Sequence, residues 1–220
     1  MRNIAICLRG IFIDPHYTHW QFNGKTGINA ELCVENIYQN LINKFKLNSN
    51  NYKVYIFCAA NDLLTVDYLR KHYKPHLVKL LDEKKTYKST YEKVSWQIKE
   101  VITLVTRYKE LKFDTIFCTR YDVLFDYRIN FLQENINYDK FNFLCKCDDD
   151  QLVDDIFWCF SHKHLDSLIK VMNYQIDHGI ATHYLSTFLK FIDFNDIHIM
   201  FPGNYHLATT RPLIKFLREI

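Results

Sequence analysis

Short, continuous apolar runs alternate with helical periodicity through the first 120 residues, and this alternation constrains the fold more than any other feature. The run Asn3-Ile-Ala-Ile-Cys-Leu8 ends at Arg9-Gly10, and Tyr52-Lys-Val-Tyr-Ile-Phe-Cys58 ends before Ala59-Ala-Asn-Asp62. Both read as buried strands, because side chains apolar on both faces belong in a covered sheet. Helices are expected over residues 30–46 (capped by Asn29), about 62–73 (stopped by Pro75) and 90–111. In the last of these, Tyr91, Val94, Ile98, Val101, Ile102, Val105 and Tyr108 follow helical spacing. A third strand is expected at 76–81 and a fourth at 114–119. Such alternation implies an α/β fold, a mostly parallel central sheet flanked by helices on both faces, in a single domain over 1–220.

The second half continues with strands at 141–145 and 154–160, helices at about 163–176 and 181–192, and a short strand at 197–201. Residues 10–30, with Gly10, Pro15, Gly24 and Gly27 among several aromatics, read as a long loop. No internal repeat, low-complexity segment or linker divides the chain. At 48% hydrophobic and 16% aromatic residues the chain has ample material for a core.

Open parallel sheets bind ligands beyond the carboxyl ends of their strands. Four polar sets fall there: Arg9-Gly10, Asn61-Asp62, Arg120 with Asp122, and Asp148-Asp-Asp150. Arg120 and Asp122 are two residues apart, so in an extended chain they point to the same side. One reading is a structural ion pair at a strand end. The other is a ligand site, with Asp122 holding Mg²⁺ or Mn²⁺ and Arg120 a phosphate. Asp154-Asp155 leads directly into Ile156-Phe-Trp-Cys-Phe160, and a carboxylate there suits a general base as well as a turn. The triplet Asp148-Asp-Asp150 is most simply an exposed turn. His16, His19, His183 and His206 take solvated or capping roles by default, with a substrate or phosphate contact as the alternative.

A formal charge of +3 argues against a nucleic-acid partner. The seven cysteines include no CxxC pair, and five of them lie in apolar runs, which predicts reduced, buried thiols. Cys145-Lys-Cys147 lacks a second pair to complete a soft-metal site. No run approaches transmembrane length and no signal peptide opens the sequence, so a cytoplasmic protein without stable membrane insertion is expected. GxxxxGK[ST], GxGxxG after the first strand, HExxH and GxSxG are all absent, which sets aside P-loop NTPases, Rossmann dehydrogenases, zincins and α/β-hydrolases.

Taken in order, the motifs resemble the small GT-A-type glycosyltransferases of large DNA viruses and bacterial surface-glycan clusters. The likeness rests on Ile4-Ala-Ile-Cys-Leu-Arg-Gly10, Ser95-Trp-Gln97, Phe113-Asp-Thr-Ile-Phe-Cys-Thr-Arg-Tyr-Asp-Val-Leu-Phe125, Asp154-Asp-Ile-Phe-Trp-Cys-Phe160 and His164-Leu-Asp-Ser-Leu168. The resemblance implies a GT-A-like domain with a nucleotide-sugar half over about 1–125 and an acceptor half over about 126–220. It implies transfer of a sugar from a nucleotide-diphosphate sugar to a glycan or other hydroxyl acceptor, assisted by Mn²⁺ or Mg²⁺. Asp122 would be the metal ligand, as counterpart of a D-x-D motif whose first position is Arg120 here. Arg9, Gly10, Asn61, Asp62, Arg120 and Asp122 would line the nucleotide, and Asp154 or Asp155 would orient or deprotonate the acceptor. Thr182-His183 stands where an acidic residue is often seen. The alternative is a non-catalytic nucleotide-sugar or glycan-binding domain of the same fold.

Overall fold

The computed structural model describes residues 1–10, 30–82, 86–125, 136–147, 151–205 and 214–216. The strands are β1 (Arg2–Arg9), β2 (Tyr52–Ala60), β3 (Leu77–Leu80), β4 (Thr115–Arg120), β5 (Val123–Phe125), β6 (Phe141–Cys147), β7 (Phe157–Phe160), β8 (Ile197–Tyr205) and β9 (Ile214–Phe216). The helices are α1 (Ala30–Ile37), α2 (Asn43–Lys46), α3 (Leu63–Tyr73), α4 (Thr90–Thr106), α5 (Leu165–His178) and α6 (Leu185–Phe188).

Seven strands form one sheet in the order β3-β2-β1-β4-β7-β6-β8, and β5 pairs with β9 in a small second sheet. β1 is central and parallel to both β2 and β4, and β2 is parallel to β3. β7 runs antiparallel to β4 and β6, while β6 and β8 are parallel to each other. The sheet is therefore mostly parallel, with β7 reversed. That reversal places the start of β7 beside the end of β4, since Thr119 pairs with Phe157. Asp154 and Asp155 are thus carried to the edge where β1, β2 and β4 finish.

Alternating residues of β1 feed two cores. Ile4, Ile6 and Leu8 pack with α1, α2 and α3 through Ile37, Phe45 and Leu69. Ala5 and Cys7 face α4 and α5 through Ile98, Val101, Leu168 and Met172. The six described thiols, of Cys7, Cys33, Cys58, Cys118, Cys145 and Cys159, are free and buried, as expected for small apolar residues in strands and helix faces. Burial pushes the Cys118 thiol up to about 11 even though Arg9 draws it down. Many of the aromatics are core material: Phe141, Phe143, Trp158 and Phe188 meet ring to ring at 4.9–6.2 Å.

Local chemistry sets the helix starts. Ser89 caps α4 by accepting from the Glu92 amide at 3.1 Å, and Glu92 reaches back to the Lys88 amide at 2.7 Å. Two expected helices are shorter than their periodicity suggested. α4 stops at Thr106, and the Tyr108 ring turns onto Tyr55 and Phe57 of the sheet at 6.0 and 5.5 Å. The segment expected as a helix over 181–192 is helical only at Leu185–Phe188. Its first residues instead pair with residues 151–153: Val153 N donates to His183 O and Leu185 N to Gln151 O, both at 2.8 Å. The helix expected over 30–46 contains a π-helical turn at Tyr38–Ile42. Among the described residues no helix is long and apolar enough to cross a membrane.

Candidate functional site

The polar groups at the carboxyl ends of β1, β2 and β4 gather around one edge of the sheet. Arg9 and Arg120 are register partners across β1 and β4, and the Tyr121 amide continues the ladder by donating to Arg9 O at 2.8 Å. Arg9 is 3% exposed, and its guanidinium Nη2 donates to the main-chain oxygen of Asp155. Its Nε is buried with no hydrogen-bond partner among the described residues. Burial, and secondarily Arg120, lower the Arg9 pKa, while Cys118, Asp155 and Asp122 oppose the shift.

Arg120 forms a two-pronged pair with Asp122. Its Nε donates to Oδ1 at 2.6 Å and its Nη2 to Oδ2. Burial works against the Arg120 charge, but the Asp122 carboxylate outweighs it and the pKa rises. The two charges therefore do face the same side, as their spacing required, and they face each other. Asp122 is 1% exposed with both oxygens on Arg120. A divalent cation would have to displace an arginine, and among the described residues no group of three His, Cys, Asp or Glu side chains gathers for one. Mg²⁺ or Mn²⁺ needs only one or two protein carboxylates beside substrate phosphates, and at Asp122 it would compete with the Arg120 guanidinium for the same two oxygens.

The two carboxylates before β7 differ in surroundings. Asp154 is 4% exposed, and its Oδ2 accepts from the amides of Ile156 and Phe157 at 3.1 and 2.9 Å. Its carbonyl accepts from the Trp158 indole at 2.8 Å. Asp154 thus shapes the entry to β7. Asp155 is less buried, and its Oδ2 accepts from Thr182 Oγ1 at 2.9 Å.

Gly10 and the Asn61-Asp62 pair lie at the same edge. A Cβ on Gly10 would fall 2.8 Å from Cε2 of Tyr121, so the absent side chain is what lets this ring lie across the end of β1. The Tyr121 hydroxyl is buried with no hydrogen-bond partner among the described residues, and burial, followed by Asp122 and Asp62, pushes its pKa well up. Asn61 Oδ1 accepts from Gln97 of α4 at 3.1 Å. Asp62 caps α3, accepting from the Thr65 amide and hydroxyl at 2.7 Å each. Asp148, Asp149, Asp150, His16, His19 and His206 lie outside the described residues.

Sequence reasoning gave no role to Tyr121, Thr182 or Asn36. Tyr121 lies inside the R-x-D motif, and Gly10, 111 positions earlier, carries no local mark of its contact with that ring. Asn36 of α1 clamps β5 from both sides: its Nδ2 donates to Phe125 O at 3.0 Å and its Oδ1 accepts from Phe125 N at 2.6 Å. Nothing local distinguishes that asparagine from its neighbour Asn40.

No protein-family profile matches the chain, and no curated protein does. A solved structure described as a glycosyltransferase involved in the glycosylation of the major capsid of PBCV-1 aligns with 89% of this chain and 81% of its own. The TM-score is 0.47 and the identity 9%. The layered α/β sheet agrees with the GT-A-like architecture that the motif resemblance implied.

Proposed function

We propose that the chain is a glycosyltransferase that moves a sugar from a nucleotide-diphosphate sugar to a hydroxyl acceptor. The observation that carries this reading is the convergence of Arg9, the Arg120–Asp122 pair and Asp155 on the carboxyl edge of the parallel strands. The donor half spans about 1–125, with Arg9, Gly10, Asn61, Asp62 and Arg120 around the nucleotide. The acceptor half spans about 126–220.

In an in-line displacement the acceptor oxygen bonds to the anomeric carbon as the bond from that carbon to the β-phosphate oxygen breaks. The nucleoside diphosphate leaves with the electron pair, and the acceptor proton passes to the Asp155 carboxylate. Arg9 supplies fixed positive charge in a low-dielectric edge, where it stabilises the departing diphosphate more than it would in water, while Arg120 shares its charge with Asp122. Asp154 holds the backbone from which Asp155 projects.

The test is a thermal-shift panel of UDP, GDP, CDP and their sugars, with Mn²⁺ or with EDTA, followed by transfer assays on the nucleotide that binds. The expected results are stabilisation by one nucleotide in EDTA as well as in Mn²⁺, and loss of transfer in Asp155→Asn with nucleotide stabilisation kept. If no nucleotide raises the melting temperature under either condition, the reading fails. Mutual neutralisation of Arg120 and Asp122 favours a second reading, a non-catalytic nucleotide-sugar or glycan-binding domain, which predicts nucleotide stabilisation without turnover.

A further inference from the structure

Tyr91, His183 and Tyr184 form an aromatic surface that the core does not need. Tyr91 stands in the first turn of α4 at 50% exposure, and Tyr184 is 43% exposed. The His183 ring bridges them, edge-on to Tyr91 at 6.2 Å and inclined to Tyr184 at 5.0 Å. Folding leaves about half of each tyrosine in water, so the hydrophobic effect alone does not explain three rings assembled from two elements.

The surface is fixed in place. The backbone of His183–Leu185 is held on residues 151–153 by the Val153–His183 and Leu185–Gln151 hydrogen bonds at 2.8 Å. It is also tied to the candidate site. Thr182, the residue before His183, donates its hydroxyl to the Asp155 carboxylate at 2.9 Å. The backbone that carries the rings therefore also orients the carboxylate.

We propose that Tyr91, His183 and Tyr184 are the acceptor subsite, stacking one pyranose ring of a glycan whose next hydroxyl meets Asp155. This rests on the transferase reading. A pyranose has the complementary surface: a face of C–H groups that packs on an aromatic ring, and a rim of hydroxyls. The two phenols and the imidazole supply donors and acceptors for that rim. Rigid aromatics also lose little conformational freedom on binding, which suits a weak, exchangeable acceptor.

The test uses the full chain with methyl α- and β-glycosides of glucose, galactose, mannose, N-acetylglucosamine, fucose and xylose in saturation-transfer NMR. At least one glycoside is expected to receive saturation through its ring C–H protons. Tyr91→Ala with Tyr184→Ala is expected to weaken it about tenfold, while Tyr184→Phe keeps most of the affinity. Both tyrosines are half exposed, so the double variant retains its melting temperature, and nucleotide stabilisation is unchanged. The subsite is overturned if nucleotides stabilise the chain but no glycoside is saturated, or if the double variant binds the glycoside as before. It is equally overturned if the double variant loses nucleotide stabilisation, because the rings would then stack the donor's base. Absence of nucleotide stabilisation in the native chain defeats the transferase reading instead, and a glycoside signal lost in the double variant would still uphold the rings as a sugar site.

Discussion

The Arg120 guanidinium closes on both oxygens of Asp122, two residues along the same chain, with the carboxylate 1% exposed. Removing one member of such a pair leaves the other buried without its countercharge. Asp122→Asn is expected to lower unfolding stability by about 3–5 kcal/mol in urea titrations. Replacing both, Arg120→Met with Asp122→Leu, should recover most of that loss. An Asp122→Asn midpoint equal to the parent's would mean that the pair does not stabilise the fold.

Gly10→Ala places a methyl 2.8 Å from the Tyr121 ring, which is itself 2% exposed and has little room to yield. A loss of roughly 1–3 kcal/mol follows from the overpacking. Combining it with Tyr121→Leu should give a double variant less destabilised than the sum of the two, because the clash disappears with the ring. Strict additivity in a double-mutant cycle would show that the two residues do not press on each other.

Asn36 satisfies both the carbonyl and the amide of Phe125 at 3.0 and 2.6 Å. Asn36→Ala leaves both groups without that partner and should cost about 2 kcal/mol. Hydrogen exchange locates the effect: protection is expected to fall at Phe125 and its β5 neighbours and to persist in β1. Uniform loss across the sheet would contradict a local clamp.

His164 is 4% exposed, and its Nε2 has no hydrogen-bond partner among the described residues. Burial, and to a smaller degree Lys163, lowers its pKa, against a backbone hydrogen bond with Asp139 and the charge of Asp196. A depressed histidine pKa means that the unfolded chain binds the proton first as pH falls. The stabilisation is complete above about 6.5 and is lost as pH drops toward the folded value. Denaturation midpoints should therefore decline below pH 6.5, and His164→Asn should flatten that decline. An unchanged slope in the variant would assign the acid sensitivity to other groups.

Alternation of apolar runs and helical periodicity was enough to read the parallel sheet, its β1–β4 strands and the stop of the second helix before Pro75, because these follow from spacing within a few residues. Helix lengths were less legible. Helical spacing over 90–111 and the helix expected over 181–192 both ran past what forms, because Tyr108 found a better burial on Tyr55 and Phe57, and His183 found strand partners in 151–153. Tertiary contacts of that kind outweigh a propensity worth a few tenths of a kcal/mol per residue.

The candidate site divides the same way. The pattern Arg120-Tyr-Asp122 determined by itself that a cation and a carboxylate share one side of the chain. That they close on each other was decided by burial, which makes an unpaired charge costly and a paired one tolerable. The meeting of Arg9 with Asp155, of Gly10 with Tyr121 and of Thr182 with Asp155 spans 146, 111 and 27 residues. The parallel β1–β4 pairing brings Gly10 to Tyr121, β7 reversed beside β4 brings Asp155 to Arg9, and the pairing of 151–153 with 183–185 brings Thr182 to Asp155; strand order depends on how the whole chain covers its two cores rather than on any local spacing.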